Sequence, residues 1–492
     1  MNLHTFMARR HLLILFLLAL APRLLYLASI PEVAIVENVD AQGYDLLARN
    51  LLAGHGFSLQ AAPPYLPDGL RTPLYPLLIA AMYALFGPHP VAVAVVQAIL
   101  DGVTALLVAV TGARVLGRRA GLVAGVGYAL TPLQWRYAGA LLAEIHVAFL
   151  VVLAFYLLAR ALERTPAPWQ PLPTRVALAC GAVAGLVGLD KANLAALGPL
   201  LALILLWAWR RRPRTALRVA GALGLAAVAV MAPWVARNWR LYGRPFLSNA
   251  DLGFLARVSA PATLGVVEGH QVPPWSPEWE ARYHALASAA ATQNGWELAT
   301  PPADAVEADR RERQIAATAW DVVRAHPWEA LHAHTVGWLR SWAPQEQSFW
   351  YAHLTGRPWE ATGVAANALR DAVEILWDGR PGEAVEVAFV APWDHLDGVG
   401  RALWYAWGAG HLLILTLIAL GAWRLRRRPA LVVALLATLL YATLPPGPIG
   451  YARFRVPVVP LMLLLQTAGV QWIWQRRPIR DRLWRDDRPS IA

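Results

Sequence analysis

A few charged side chains in this chain have types and positions suited to group transfer. Asp40 and Asp45 lie in 35-IVENVDAQGYDLLARNLLAGHGF-57, Asp68 follows in the same region, and Glu144 opens the apolar run in 139-GALLAEIHVAFLVVLAFYLLAR-160. A positioned carboxylate can take the proton of an attacking hydroxyl. Against these acids stand cations close to the ends of apolar runs: Arg71, Arg136, Lys191, Arg237, Arg240, Arg453 and Arg455. Arginine offers a fork of donors to phosphate oxygens and lysine a point charge. The phosphate of a lipid lies at that depth.

Each residue also has a plainer reading. A helix starting near Asp40 would put Tyr44 one turn later on the same face, with Leu47, Ala48, Leu51 and Leu52 at helical spacing. Asp40 would then be either a catalytic acid or a helix N-cap. Lys191, in 185-GLVGLDKANLAALGP-199, is a phosphate anchor, the partner of Asp190, or a lysine snorkelling to the surface. Arg237, in 232-APWVARNWRLYGRP-245, is a phosphate ligand or part of an interfacial Trp/Arg belt. Glu144 is a functional acid or a marker of the membrane boundary, and His146 is expected to face elsewhere on its helix. Arg453 and Arg455 bind an anion or neutralise local carboxylates.

The elements that must hold these residues are apolar helices. The 492 residues are 57% hydrophobic and only 15% charged, where a soluble domain carries roughly 25% charged residues. The chain therefore reads as an all-α polytopic membrane protein. A span needs roughly 20 apolar residues. Ten segments qualify: 11–30, 91–115, 119–138, 142–160, 174–190, 192–209, 216–235, 403–423, 429–446 and 455–474. The first is expected to be a retained signal anchor. Arg9/Arg10, Arg118/Arg119, Arg160/Arg164, Arg210–Arg214, Arg424–Arg428 and Arg476–Arg485 then fall on one side, the cytoplasmic one, together with both termini. The segment 73-PLYPLLIAAMYALFG-87 is short and proline-flanked, and counting it as a span would invert this pattern. It is expected to be a surface or partly inserted helix. Three parts follow: 1–240, a membrane module whose first outer loop is 31–90; 241–402, a mixed outer region between spans 7 and 8 that includes an interfacial helix at 326–342; and 403–492, the last spans with a basic tail.

Composition also excludes. The net charge of +12 resides in short clusters between apolar runs, which is a topology signal and not a nucleic-acid footprint. One cysteine, Cys180, builds neither a disulfide framework nor a thiolate metal site. No ligand cluster argues for a cofactor, and a divalent metal is left open. No repeat of 20–50 residues and no inverted similarity is visible. Two charges lie mid-span, Arg23 and Asp101, and are expected to form a buried pair between the first two spans.

The ordered set of segments resembles the C-type membrane glycosyltransferases, in particular the protein O-mannosyltransferase and aminoarabinose-transferase branch. It runs from an acid ahead of a tyrosine and 48-ARNLLAGHGFS-58, through 63-PPYLPDGLRTPLYPLLIAAMYALFG-87 and 115-VLGRRAGLVAGVGYALTP-132, to Glu144, 233-PWVARNWRLYGRP-245 and 451-YARFRVPVVP-460. The resemblance implies an inverting transfer of sugar from a polyprenyl-phosphate carrier to an acceptor hydroxyl outside the cytoplasmic membrane. It implies Asp40 as general base, Glu144 as a second acid, and Arg71, Lys191 and Arg237 as phosphate ligands, to which Arg453 and Arg455 add. Tyr44 and Asp45 would line the substrate site; where the family often has two adjacent acids, this chain has Asp40-Ala41. The acceptor, whether protein, lipid or glycan, is left open. The rival reading from another class is a transporter or flippase for lipid-linked glycans, which would want a charge path through the bilayer centre.

Overall fold

The computed structural model describes residues 9–162, 173–269, 272–362, 364 and 368–475. Arg164 and Arg476–Arg485 of the expected basic clusters lie outside them. Every regular element among the described residues is helical. Eight helices are long and apolar enough to cross a membrane: Arg9–Ala28, Pro90–Leu116, Glu144–Ala161, Pro173–Asp190, Pro213–Tyr242, Ala250–Val267, Gly398–Leu425 and Ala452–Gln475. The chain is a multi-pass membrane protein.

Seven of the eight coincide with expected spans. The other three expected spans are shorter helices. Segment 119–138 breaks into Arg118–Ala129 and Pro132–Ala138. Pro132 has no N–H to continue the ladder and its ring excludes a helical residue before it, so Thr131 turns extended at φ −79°, ψ 110°. Segment 192–209 becomes a 3₁₀ turn and Leu197–Ala208, and 429–446 becomes Pro429–Thr443. The eighth, Ala250–Val267, was expected to be part of the mixed outer region. Its apolar length is used for packing: Ala256 and Ala260 lie in one buried cluster with Tyr283, Leu286 and Ile315.

The described residues form two compact units. In the first (through Ser248, with 416–442 and 456–475), the elements that matter are α1 (Arg9–Ala28), α2 (Val39–Leu52), α3 (Leu74–Phe86), α4 (Pro90–Leu116), α5 (Arg118–Ala129), α6 (Glu144–Ala161), α7 (Pro173–Asp190), α8 (Leu197–Ala208) and α9 (Pro213–Tyr242). The short helix expected at 73–87, within the first outer loop, is α3. Helices α7 and α9 pack so closely that a Cβ at Gly181 would collide with the backbone of Leu223. Helix α9 ends at Gly243, whose φ of +73° a side chain would oppose.

The expected charge pair of the first two spans is present. Arg23 Nε of α1 donates to Asp101 Oδ2 of α4 at 2.5 Å with both side chains fully buried. Arg23 Nη1 also donates to the carbonyls of Ala19 and Ala129, and Tyr128 Oη donates to Asp101.

The second unit comprises Asn249–Leu415 and Thr443–Arg455. It contains the helix expected at 326–342, observed as Pro327–Trp342. An aromatic cluster fills part of it, with Trp359 stacked on the fully buried Trp404 at 5.6 Å and edge-on to Tyr351.

Candidate active site

Helix α2 starts where the acidic stretch meets its first helical residues. Asn38, not Asp40, is its N-cap: the Asn38 side chain accepts from the backbone N–H of Asp40. This leaves the Asp40 carboxylate for another partner. Arg71 Nη2 donates to Asp40 Oδ1 at 2.6 Å, and the same guanidinium lies over the ring of Tyr44 at 4.9 Å. The helical register that sets Asp40 and Tyr44 one turn apart thus lets a single arginine engage both.

Arg71 is itself held by its loop. Its backbone N–H donates to the carboxylate of Asp68, which also accepts from Leu70. Burial raises the pKa of Asp68, and those two N–H groups and the Arg71 charge oppose the rise. For Arg71 burial works against the charged form, but Tyr44, Asp40 and Asp68 outweigh it, and the guanidinium titrates above its usual range.

Arg237, near the end of α9, reaches this loop from the other side. Its Nη1 donates to the backbone carbonyl of Asp68 at 2.9 Å and to Asn238 Oδ1 at 2.8 Å, and its guanidinium lies over Trp234 at 4.5 Å. Tyr242 Oη and Ser248 Oγ tie the carbonyls of Pro67 and Leu70 to the same end of α9. Asp40, Arg71, Asp68 and Arg237 therefore form one continuous chain of polar contacts.

The second acid lies where α6 begins. Glu144 is 2% exposed and accepts from Lys191 Nζ at 2.7 Å. Lys191 follows directly on α7. Its expected neighbour-partner Asp190 is engaged elsewhere, with Oδ2 2.7 Å from His146 Nδ1. Two acid–base contacts thus join the start of α6 to the end of α7, Glu144 with Lys191 and His146 with Asp190. His146 does not face away from this group, contrary to expectation. On a helix, residues two apart diverge by about 200°, and two different residues at the end of α7 meet them, Lys191 at Glu144 and Asp190 at His146.

Tyr44 is the ring that the Arg71 guanidinium covers. It is partly buried, stands edge-on to Tyr75 at 4.9 Å, and feels the charges of Arg71, Glu144, Asp40 and Asp190 together. Burial, with those acids adding, pushes its hydroxyl up to about 12, so it stays protonated at neutral pH. Tyr75 Oη donates to Gln97 Oε1 of α4 at 2.5 Å, and Gln97 in turn donates to the carbonyls of Ala138 and Ala140. The aromatic pair is thereby fixed to the membrane helices.

Asp45 is drawn the other way, accepting from Arg49 Nε at 2.8 Å and from Tyr83 Oη of α3 at 2.5 Å. Arg453 and Arg455 belong to the second unit. There Arg453 lies over Phe454, and the buried Arg455 donates to His411 Nε2 at 2.8 Å. Among the described residues no group of three or more His, Cys, Asp or Glu side chains is arranged to hold a metal ion. Sequence reasoning missed Tyr75 and Gln97, and it named His146 and Asp190 without pairing them with each other. The one available signal was an acid and a base placed close together at each of two helix ends, 144/146 and 190/191.

Residues 70–236, about a third of the chain, match the family model described as dolichyl-phosphate-mannose-protein mannosyltransferase. It contains Arg71, Glu144 and Lys191, and stops one residue short of Arg237. No curated protein matches the chain. Among solved structures, the archaeal oligosaccharyltransferase AglB from Archaeoglobus fulgidus, in complex with an inhibitory peptide and a dolichol-phosphate, is 15% identical with a TM-score of 0.49. The match covers 95% of this chain and 50% of that one, so this chain spans about half its length. ArnT from Cupriavidus metallidurans, bound to undecaprenyl phosphate, is 16% identical with a TM-score of 0.36, covering 94% of this chain and 78% of that one. At these scores neither likeness bears on the roles of individual residues.

Proposed function

With the family match of residues 70–236 as premise, we propose that the protein is an inverting glycosyltransferase that moves a sugar from a polyprenyl-phosphate carrier to an acceptor hydroxyl. It would work on the outer face of the cytoplasmic membrane, with both termini inside. The observation that carries this reading is the pairing of each acid with a cation, Asp40 with Arg71 and Glu144 with Lys191.

In this mechanism Asp40 takes the proton from the acceptor hydroxyl while its oxygen attacks the anomeric carbon opposite the phosphate. The anomeric carbon–oxygen bond to phosphate breaks in the same displacement, and configuration inverts. The leaving group departs as a polyprenyl phosphate and needs no proton. It needs positive charge placed in advance, which Arg71 and Lys191 supply. Glu144 orients a substrate hydroxyl. Arg237 holds the Asp68–Arg71 loop and adds to the local field. A flippase would need a charge path across the bilayer centre; the mid-span charges here, Arg23 and Asp101, are closed on each other.

The test is to incubate the purified protein in lipid with polyprenyl-phosphate sugars and follow the release of polyprenyl phosphate. Asp40→Asn, with its fold intact, should lower turnover by about 10²–10⁴-fold. Normal turnover of that variant would remove Asp40 as the base.

A further inference from the structure

Both candidate acids are occupied by the cations that a phosphate would need. Asp40 Oδ1 holds Arg71 Nη2 at 2.6 Å, and Glu144 Oε1 holds Lys191 Nζ at 2.7 Å. These contacts are not surface ornaments. Glu144 is almost fully buried, and the Asp40, Arg71 and Lys191 side chains are 26%, 20% and 15% exposed. An uncompensated charge in such surroundings is costly, so each cation requires a counter-ion whether or not substrate is present.

We infer that Asp40 and Glu144 are the internal counter-ions of the donor-phosphate site, and that an arriving phosphate displaces them. This rests on the function proposed above. The phosphodiester takes Arg71 and Lys191 as its own partners, and the two carboxylates are released. The exchange couples binding to chemistry. A carboxylate against a guanidinium is a weak base, because the opposite charge favours its ionised form. Moving the guanidinium to phosphate restores basicity to Asp40 only when a donor is in place. The donor therefore binds first, and the acceptor hydroxyl meets a base that was silent before. Arg71 is suited to the hand-over. Its Nη2 serves Asp40, while its Nε is buried and has no hydrogen-bond partner among the described residues. A phosphate oxygen can engage Nε before the carboxylate is released.

The experiment measures equilibrium affinity of the full-length protein in lipid nanodiscs for a polyprenyl phosphate, with inorganic phosphate as a separate arm. Removing either carboxylate should tighten binding, because the cation no longer has to be won. Asp40→Asn and Glu144→Gln should each bind the polyprenyl phosphate about fivefold more tightly than wild type. The gain from Asp40→Asn should vanish in an Arg71→Gln background, and that from Glu144→Gln in a Lys191→Met background. A gain that persists without its cation is long-range charge and overturns the exchange, as does no gain at either acid. Tightening confined to inorganic phosphate overturns it too, since the anion exchanged is then not the donor's. If one acid variant fails to fold, the other pair carries the test. Wild-type binding without any gain sinks the exchange alone, whereas no binding by wild type or any variant sinks the donor-phosphate reading with it.

Discussion

At the level of single residues, the chain solves one electrostatic problem repeatedly: a charge in an apolar setting is kept by giving it a partner. Arg23 and Asp101 show the structural version. Both are fully buried, and each is satisfied by further groups, Arg23 by three backbone carbonyls and Asp101 by Tyr128. Asp101→Asn leaves the arginine charge uncompensated and should destabilise the protein by about 3–5 kcal/mol. Combining it with Arg23→Gln removes the stranded charge and should recover part of that loss, read as the midpoint of thermal denaturation in detergent. Equal losses in the single and double variants would show that the charge is not what matters. This pair was legible in the sequence because a mid-span charge has few places to go. The partners of Lys191 and Asp190 were not. Adjacency in sequence suggested that they pair with each other, whereas the end of α7 points them at different residues of α6, Glu144 and His146. Whether Asp40 caps α2 stayed open in the sequence for a related reason: Asn38 and Asp40 are both good caps, and the choice, which falls on Asn38, depends on where the backbone turns.

Among the elements, the pair α7 and α9 sets where both cation-bearing ends stand. Lys191 follows α7, and Arg237 lies in the last turns of α9. Their contact is built on small residues: a Cβ at Gly181 would meet the carbonyl of Leu223, and one at Gly185 would lie 2.7 Å from the carbonyl of Ala227. Close approach of this kind replaces a hydrophobic driving force between helices in lipid. Gly181→Ala should force the helices apart, cost about 1–3 kcal/mol of stability, and lower the release of polyprenyl phosphate by shifting Lys191 relative to Glu144. Gly221→Ala, on α9 with open space around the added methyl, should change neither. If the two alanine variants behave alike, the close contact is not what positions Lys191. Hydropathy located most of these helices, since roughly 20 apolar residues leave little choice. It could not locate the break at Pro132, which sits inside an apolar run.

For the whole molecule, the functional proposal stands or falls with sidedness. Asp40 and Arg71 lie in the connection between α1 and α4, and Lys191 in the one between α7 and α8, whereas Arg118/Arg119 and Arg210–Arg214 fall at the opposite ends of their helices. If those arginines are cytoplasmic, as the positive-inside rule requires, the acids and their cations face outward. The chain makes this easy to test, because its one cysteine, Cys180, is buried against the backbone of Ala154. In a Cys180→Ala background, Glu37→Cys should react with a membrane-impermeant maleimide on intact cells, as Glu37 is exposed just before α2. Arg211→Cys, equally exposed at the other end, should react only after the membrane is opened. The opposite labelling pattern would put Asp40 on the inner face and exclude an outward-facing transfer. Labelling of both from outside would mean that one of the helices between residues 37 and 211 does not cross, most directly the one interrupted at Pro132, and the count of crossings would have to be rebuilt around that break.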